Sequence, residues 1–422
     1  MIILVLNPGG NSLKAELVRC DPNEPYAFTG TKLLSIGIEG IGKEPTISRY
    51  ERKISVSSDP IVAKDYEQAA ESFLDWYENQ SGQSPRLEQV DAVAVRVVHG
   101  GTDLVEPTLI DSTVEQRIVE LEKLAPLHNK SSVEVLEPVR RKLPRTPIYG
   151  VFDTAFHRTM PDHASMYAIP QELAGRHQIR RYGFHGISHR YLLERYAHLA
   201  GKSPDECNIV SMHLESGCSV TAIAHGRSID NSMGLTPLEG LMMGTRSGDV
   251  DPSIIPLLMR EENMSVDDVM ELLNKKSGLL GISQVSLDTR VLMKTYDTDP
   301  RVRQAMDLFA YRLRKMVGAH LAALGQADAI VFGGGIAENN AFVRSFVCEG
   351  VHSFGVELDD GANRTLIDVE GELTTPGSRV KAWVIPTEEG LQIAHECCQS
   401  ITKNGGETSE RRNMTGGHEI LS

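Results

Sequence analysis

A short apolar strand, a glycine-rich polar turn and a second apolar strand occur near the start of the chain and again at its middle, which limits what it can fold into. Ile2 to Leu6 runs into Asn7-Pro8-Gly9-Gly10-Asn11-Ser12, and Leu13 to Val18 then alternates as a half-buried strand does. Ile209 to Met212 runs into His213-Leu214-Glu215-Ser216-Gly217-Cys218-Ser219, followed by the apolar stretch Val220 to Ala224. Each pair reads as a hairpin with a polar tip. In a chain of 422 residues, which length alone divides into roughly two to three domains, the repetition suggests two halves of related design. A third turn, Gly333-Gly334-Gly335, follows the apolar Ala329 to Phe332 and precedes a helical segment. Glycines in that position let backbone amides come close to a phosphate or nucleotide.

None of the three turns is a Walker A loop, because Lys14 lacks the preceding Gly-x-x-x-x-Gly, and the Gly333 to Glu338 run lacks the third glycine of a dinucleotide fingerprint. Between the turns, apolar residues recur at helical spacing over Tyr66 to Tyr77, Val114 to Leu124, Tyr191 to Leu199, Val266 to Leu273 and Val302 to Leu324. Ile148 to Phe152 and Val380 to Ile385 read as buried strands. The class is α/β.

The balance of 43 basic against 57 acidic residues gives a formal net charge of −14, which argues against nucleic acid or an anionic membrane as the main partner. An anionic substrate must then be met by locally placed arginines. No apolar stretch approaches the roughly 20 residues of a membrane helix, and Ile2 to Leu6 is too short for a signal peptide. Six cysteines without framework spacing fit free thiols, so a cytoplasmic location is expected. His185 and His189 lie four apart and could in principle form a metal pair, but Gly186 and Ser188 suit a loop entering a helix and no His-Glu-x-x-His is present.

Residues 230 to 252, Asp-Asn-Ser-Met-Gly-Leu-Thr-Pro-Leu-Glu-Gly-Leu-Met-Met-Gly-Thr-Arg-Ser-Gly-Asp-Val-Asp-Pro, are too rich in glycine and proline for a regular helix or strand. Arg246, between Gly244 and Gly248, is the chemical tip of this run: a planar fork of donors suited to a carboxylate or phosphate, or else a loop arginine paired with a nearby acid. A second arginine stands in Arg96-Val97-Val98-His99-Gly100-Gly101, where a strand enters a tight turn. Leu124 to Asn129, Val151 to His157 and Tyr182 to His189 also mix apolar anchors with His, Asp or Asn. Three glycine turns and two arginines favour a phosphoryl-transfer cleft between two domains.

Together these five segments resemble the acetate kinase family, short-chain acyl kinases of the sugar kinase, heat-shock protein and actin superfamily. The resemblance runs from Asn7 to Leu391. It implies a two-domain, actin-like, ribonuclease H-like duplicated fold with mixed central sheets and a cleft. One domain would span residues 1–153, completed by a helix at about 391–402, and the other 154–390, with 403–422 a polar tail. It also implies a homodimer, ATP or ADP as co-substrate, acetate as partner and Mg²⁺ or Mn²⁺ as the metal.

By the same resemblance, Arg96 and Arg246 hold the carboxylate and the equatorial oxygens of the phosphoryl group, and His185 donates to those oxygens. Asp153 and Glu389 position the metal, with Asn7, Ser12 and Lys14 at the phosphate end. Val98, Leu127, Phe184 and Pro237 form the methyl pocket. His213, Glu215, Ser216 and Gly217 line the phosphates, Asp288, Thr289 and Arg290 neighbour the ribose and adenine, and Gly335, Ile336 and Asn339 clamp the purine. Asp153, His185 and Glu389 each have a plainer reading as helix cap, core histidine and helix N-terminal acid.

The chain departs from the family pattern mainly in its phosphate loops. Gly10 stands for a usual serine, Glu215-Ser216 for Gly-Asn, and Ala337 for a glycine. A weakly active or regulatory nucleotide-binding relative, a propionate or altered-donor kinase, and a hydrolase using His99-Gly100-Gly101 as an oxyanion loop are the alternatives, although no Gly-x-Ser-x-Gly elbow exists.

Overall fold

β1 (Ile2–Pro8) and β2 (Ser12–Arg19) form the first hairpin in the computed structural model, which describes residues 1–51, 54–80, 85–125 and 128–415, the side chains of 404–415 excepted. The chain divides into two compact units: Met1–Ala155 with the segment from Glu388 onward, and Phe156–Thr387.

The first unit adds β3 (Thr31–Glu39), β4 (Thr46–Glu51), β5 (Ile54–Pro60), β6 (Ala92–Val97), β7 (Thr108–Leu109) and β8 (Ile148–Phe152). Its sheet order is β5-β4-β3-β2-β1-β6-β8-β7, with β1, β6 and β8 mutually parallel and the β1–β5 meander antiparallel. The parallel strands are apolar without alternation because both their faces are covered. Ile3, Leu4, Leu6, Val93, Val95 and Val151 are all fully buried, and the helix Glu389–Thr415 lies against β1, β6 and β8 with Ile393, Ala394 and Cys397 inward.

The second unit contains β9 (Ile209–Leu214), β10 (Cys218–Ala224), β11 (Arg227–Asn231), β12 (Ala329–Gly333), β13 (Gly371–Glu372) and β14 (Lys381–Val384), in the order β11-β10-β9-β12-β14-β13. β9 pairs antiparallel with β10 and parallel with β12, which is parallel to β14. The path β3-β2-β1-β6-β8 of the first unit thus recurs as β11-β10-β9-β12-β14. The duplication expected from the two hairpins is present.

The expected helices form with small shifts at their ends. Tyr66–Glu78 is capped by Asp65, whose side chain accepts from Gln68 N, and Val266–Lys275 is capped by Ser265. The helix expected from Tyr191 starts five residues earlier, at Gly186, because His185 takes a left-handed φ of 57° and turns the chain into it. The stretch Val114 to Leu124 is a helix, Ser112–Glu120, that tightens into a 3₁₀ turn at Leu121–Lys123. The last helix begins at Glu389 rather than near Leu391 and extends to Thr415. Of the expected tail at 403–422, residues 416–422 lie outside the described residues. Among the described residues no helix is long and apolar enough to cross a membrane, and all six cysteines are buried free thiols.

Candidate active site

In open sheets ligands gather where parallel strands end, and the predicted residues of the first unit lie at three such ends. Asn7 is the next-to-last residue of β1, Arg96 is near the end of β6, and Asp153 immediately follows β8. Arg96 donates from Nη1 to Asn7 Oδ1 at 3.0 Å and from Nη2 to Asp153 Oδ2, while Asn7 Nδ2 donates to Glu389 Oε2 at 3.0 Å. One connected network therefore joins Glu389, Asn7, Arg96 and Asp153. Asp153 is fully buried and its Oδ2 is on Arg96.

Ser12 opens β2, and the exposed Lys14 lies directly opposite Asn7 in register, which puts both side chains on one face. The turn between them closes with Gly9 N on Ser12 O at 2.8 Å, and Tyr66 Oη donates to Gly9 O at 2.7 Å. Val98 is 4% exposed just beyond β6. Leu127 lies outside the described residues.

The donor set fits a magnesium ion. Asp153 and Glu389 carry hard carboxylate oxygens and Asn7 an amide oxygen that already accepts from Arg96 Nη1, whereas no cluster of three His, Cys, Asp or Glu exists among the described residues. Magnesium is characteristically held by one or two carboxylates, with water and substrate phosphate completing its shell.

In the second unit the β9–β10 turn is closed by Glu215 N on Gly217 O at 3.0 Å, with Ser216 exposed at its tip. A Cβ on Gly217 would stand 3.2 Å from the His185 ring and 3.5 Å from Nη1 of Arg246, so the turn, the histidine and the arginine meet there. His185 Nδ1 bonds Ser219 Oγ at 2.9 Å, and its ring lies 4.2 Å from that of His213, whose Nδ1 bonds Ser188 Oγ at 2.7 Å. Ser219 Oγ also bonds His189 Nε2 at 2.7 Å, and His189 Nδ1 bonds Ser211 Oγ at 2.8 Å. Both nitrogens of His189 are thus engaged by serines, and burial holds its pKa well below the ordinary value. The two histidines form a relay of orientation, not a metal pair.

Arg246 donates from Nη1 to Pro237 O at 3.1 Å and lies 3.6 Å from Met243 Sδ. Glu239 of the same loop is paired with Arg181 and with Tyr167 Oη. Arg181 Nη1 also donates to the carbonyls of Asn231, Ser232 and Met233 at 2.9–3.1 Å. Gly234 packs so tightly on this cluster that a Cβ would fall 1.7 Å from Glu239 Oε2. Gly248, at φ 68°, would place a Cβ 2.5 Å from Gly240 O. The irregular run keeps its shape through these contacts.

Asn231 joins that run to the histidine segment. Fully buried, it donates to Thr221 Oγ1 at 2.8 Å and Phe184 O at 3.2 Å and accepts from Met233 N at 2.8 Å. Sequence reasoning did not single out Arg181, Asn231, Glu239 or Ser219. The arginine preceding Tyr182-Gly183-Phe184-His185, and an acid within a loop already carrying Arg246, were the available signals.

His157 supports the same segment, with Nε2 donating to Phe184 O at 2.9 Å and Nδ1 accepting from Ser228 Oγ at 2.8 Å. Burial is the larger influence and pushes its pKa down to about 4 from 6.5, against the Phe184 carbonyl. A depressed folded-state pKa means that the stabilising difference is complete above about 6.5 and is lost as pH falls toward about 4, an effect on the order of 3 kcal/mol. Urea midpoints are expected to drop across that window. His157→Gln should be less stable at neutral pH with a shallower acid dependence; an unchanged slope would contradict the assignment.

The nucleotide candidates differ in what they contact. Gly335 and Asn339 are exposed and Ile336 half-buried on the short helix Gly335–Asn339, where Asn339 Nδ2 donates to Gly335 O at 3.0 Å. Asp288 caps Thr289–Leu292 by accepting from Arg290 N at 2.8 Å, and Arg290 Nη2 pairs with the same carboxylate at 2.7 Å. Thr289 is 3% exposed. The oxyanion-loop alternative fails on geometry: Gly100 N donates to Thr154 Oγ1 at 3.1 Å and Gly101 N to His99 Nδ1 at 3.0 Å, so both amides are used internally.

Duplicated sheets with polar turns, one arginine at a strand end and another on the irregular run define a phosphotransferase of the actin-like fold. The model of the Acetokinase family matches residues 2–395, and the chain belongs to that family. An acetate kinase of Chloroherpeton thalassium is 41% identical over 96% of this chain and 100% of its own length. An acetate kinase of Solibacter usitatus is 42% identical, covering 95% and 98%. Among solved structures, acetate kinase of Porphyromonas gingivalis gives a TM-score of 0.84 at 36% identity, and a propionate kinase of Francisella tularensis 0.84 at 35%; each comparison covers 94% of this chain and 98% of the other.

Proposed function

We propose that the chain is an acetate kinase, transferring the γ-phosphoryl group of ATP directly and in line to acetate, reversibly, to give acetyl phosphate and ADP. The observation that carries the reading is the meeting of Arg246, His185 and the Gly217 turn in a family member. Acetate is already ionised near neutral pH, so no general base is needed. Charge control is. At 4 Å and an effective dielectric of 20, each pair of like unit charges repels by about 4 kcal/mol.

Guanidinium groups answer that repulsion with fixed, always-charged donor forks. Arg246 and Arg96 hold the carboxylate and the transferring oxygens, and His185, turned by Ser219, adds a hydrogen bond. Asp153 and Glu389, with Asn7, would hold a magnesium ion, which would neutralise the nucleotide's phosphate oxygens. Ser12, Lys14, His213, Ser216 and Gly217 face the phosphates; Gly335, Ile336 and Asn339 take the purine, with Asp288, Thr289 and Arg290 beside the ribose. Val98, Leu127, Phe184 and Pro237 form the methyl wall. An apolar wall separates homologues by only about 1–3 kcal/mol per methylene, so propionate follows acetate.

Hydroxylamine trapping of the acyl phosphate tests this reading, with ATP, GTP and pyrophosphate as donors and acetate, propionate and butyrate as acceptors. Acetyl hydroxamate with ATP is the expected dominant product. Nucleotide binding without acyl phosphate would overturn it in favour of a regulatory relative. Glu215 bears on the donor: Glu215→Gly with Ser216→Asn is expected to tighten nucleotide binding, measured by titration, by removing an anion from the phosphate turn. Weaker magnesium dependence in that variant would instead mark Glu215 as a metal ligand.

The enzyme is proposed to be a cytoplasmic homodimer that binds neither nucleic acid nor membrane, in keeping with its net charge of −14 and free thiols. Support for the dimer comes from the helix Ile254–Glu261, which is apolar yet buries no residue, with Leu257 49% exposed and Val266 52% exposed nearby. Light scattering should give twice the chain mass; Leu257→Glu should shift it toward the monomer.

A further inference from the structure

The Gly333–Asn339 turn carries an acid that faces inward, away from the exposed Gly335 and Asn339. Glu338 is 3% exposed, and its Oε1 accepts from Gly334 N at 3.0 Å, Thr387 N at 2.9 Å and Thr387 Oγ1 at 3.3 Å. The turn and Thr387 fit without slack. A Cβ on Gly333 would meet Thr387 Cγ2 at 2.9 Å, and one on Gly334, at φ 84°, would meet the backbone of Leu214 at 2.7 Å. The Glu338 carbonyl is held in turn by Arg344 Nη1 at 3.0 Å and Asp368 N at 3.2 Å. Two residues beyond Thr387 stands Glu389, at the start of the last helix.

A carboxylate oxygen shared by three donors is a strong anchor, because charge-assisted hydrogen bonds exceed neutral ones. We propose that Glu338 is a positioning residue for nucleotide binding: its buried carboxylate fixes the backbone at Gly334 and Thr387, so that Gly335, Ile336 and Asn339 present one geometry to the nucleotide. The inference rests on the nucleotide reading of those three residues. Glu338 itself touches no ligand; it acts through the backbone it holds.

The test compares wild type with Glu338→Leu and Glu338→Gln, measuring ADP affinity by calorimetry, KM for ATP and for acetate, and hydrogen exchange of peptides covering residues 333–339 and 385–389. Glu338→Leu removes every acceptor and should weaken ADP binding and raise KM for ATP about tenfold, leaving KM for acetate within about twofold. Glu338→Gln keeps a carbonyl acceptor and should restore most of the affinity, to within about threefold of wild type. Both peptides should exchange faster in the leucine variant.

Unchanged nucleotide affinity in the leucine variant, or equal rises in both KM values, would overturn the proposal. Should that variant not fold, the glutamine variant decides: unchanged exchange of both peptides with unchanged ADP affinity overturns it, and faster exchange with a modest affinity loss supports it. Wild type separates the two levels of the argument. If ADP binds wild type without protecting 333–339, the nucleotide reading fails; if it protects that peptide and the variants bind ADP equally well, only the role of Glu338 fails.

Discussion

Arg246→Ala is expected to lower kcat by two to three orders of magnitude while the protein keeps its fold and its nucleotide affinity. The magnitude follows from losing a preorganised donor at developing charge, about 3–4 kcal/mol in the transition state. Its position is set by structure that the substitution leaves in place. Arg181, Glu239 and Tyr167 hold the loop, and Asn231 ties it to Phe184. Arg246 itself donates to the Pro237 carbonyl and lies against Met243 Sδ, outside that set of loop contacts. Arg246→Lys should recover little, since an ammonium cannot reproduce the planar fork. Steady-state kinetics beside far-UV dichroism and ADP titration checks this; a loss under about fivefold, or a loss matched by unfolding, would contradict it.

Arg344→Met is expected to carry the largest stability cost. Arg344 is fully buried, donating from Nε to Asn363 Oδ1 at 2.8 Å, from Nη1 to Ala337 O at 2.7 Å and Glu338 O, and from Nη2 to Asn363 O and to Leu366 O at 2.9 Å. Burial, opposed by the neighbouring Cys348, pushes its pKa down to about 10, so the guanidinium remains charged at neutral pH. Removing it relieves the burial of a charge yet strips a donor from several buried oxygens. The second effect wins, because buried oxygens left unsatisfied cost about 1–3 kcal/mol each. A net loss of about 3 kcal/mol should lower Tm by roughly 3–6 °C. Arg344→Lys should do no better, since one ammonium cannot span carbonyls on two segments. Calorimetry of the three proteins settles the order.

The fold was legible where hydrophobic pattern and turn chemistry agreed. The two hairpins, the strand Ile148–Phe152 and the helices beginning near Tyr66 and Val266 follow directly from period and caps. The β3–β5 meander did not announce itself. β5 is exposed along its whole length, so no buried face imposes alternation on its sequence. The helix Ile254–Glu261 was equally silent, since it is short and buries no residue in the chain.

At the site, residues with unmistakable chemistry were readable: Arg96, Arg246 and His185 each stand beside glycines, and Asp153 directly follows a buried strand. Their supports were not. Ser219, Asn231 and Arg181 matter through distances of about 2.7–3.2 Å across sequence separations of tens of residues, and no local pattern encodes such pairings. Glu338 shows the same limit within one motif, since its neighbours suggest a ligand-facing loop while its own carboxylate points into the protein.

The central proposal is that Arg96 and Arg246 act on one transferring group. A double-mutant cycle on kcat/KM for acetate tests it, comparing wild type, Arg96→Ala, Arg246→Ala and the double variant. Groups that act as a unit give losses far from additive, whereas independent sites add within about 0.5 kcal/mol. The account predicts that each single variant loses at least about a hundredfold and that the double variant loses at least about tenfold less than their product. A double loss equal to the product of the two, or a single variant with near wild-type kcat/KM, would contradict it.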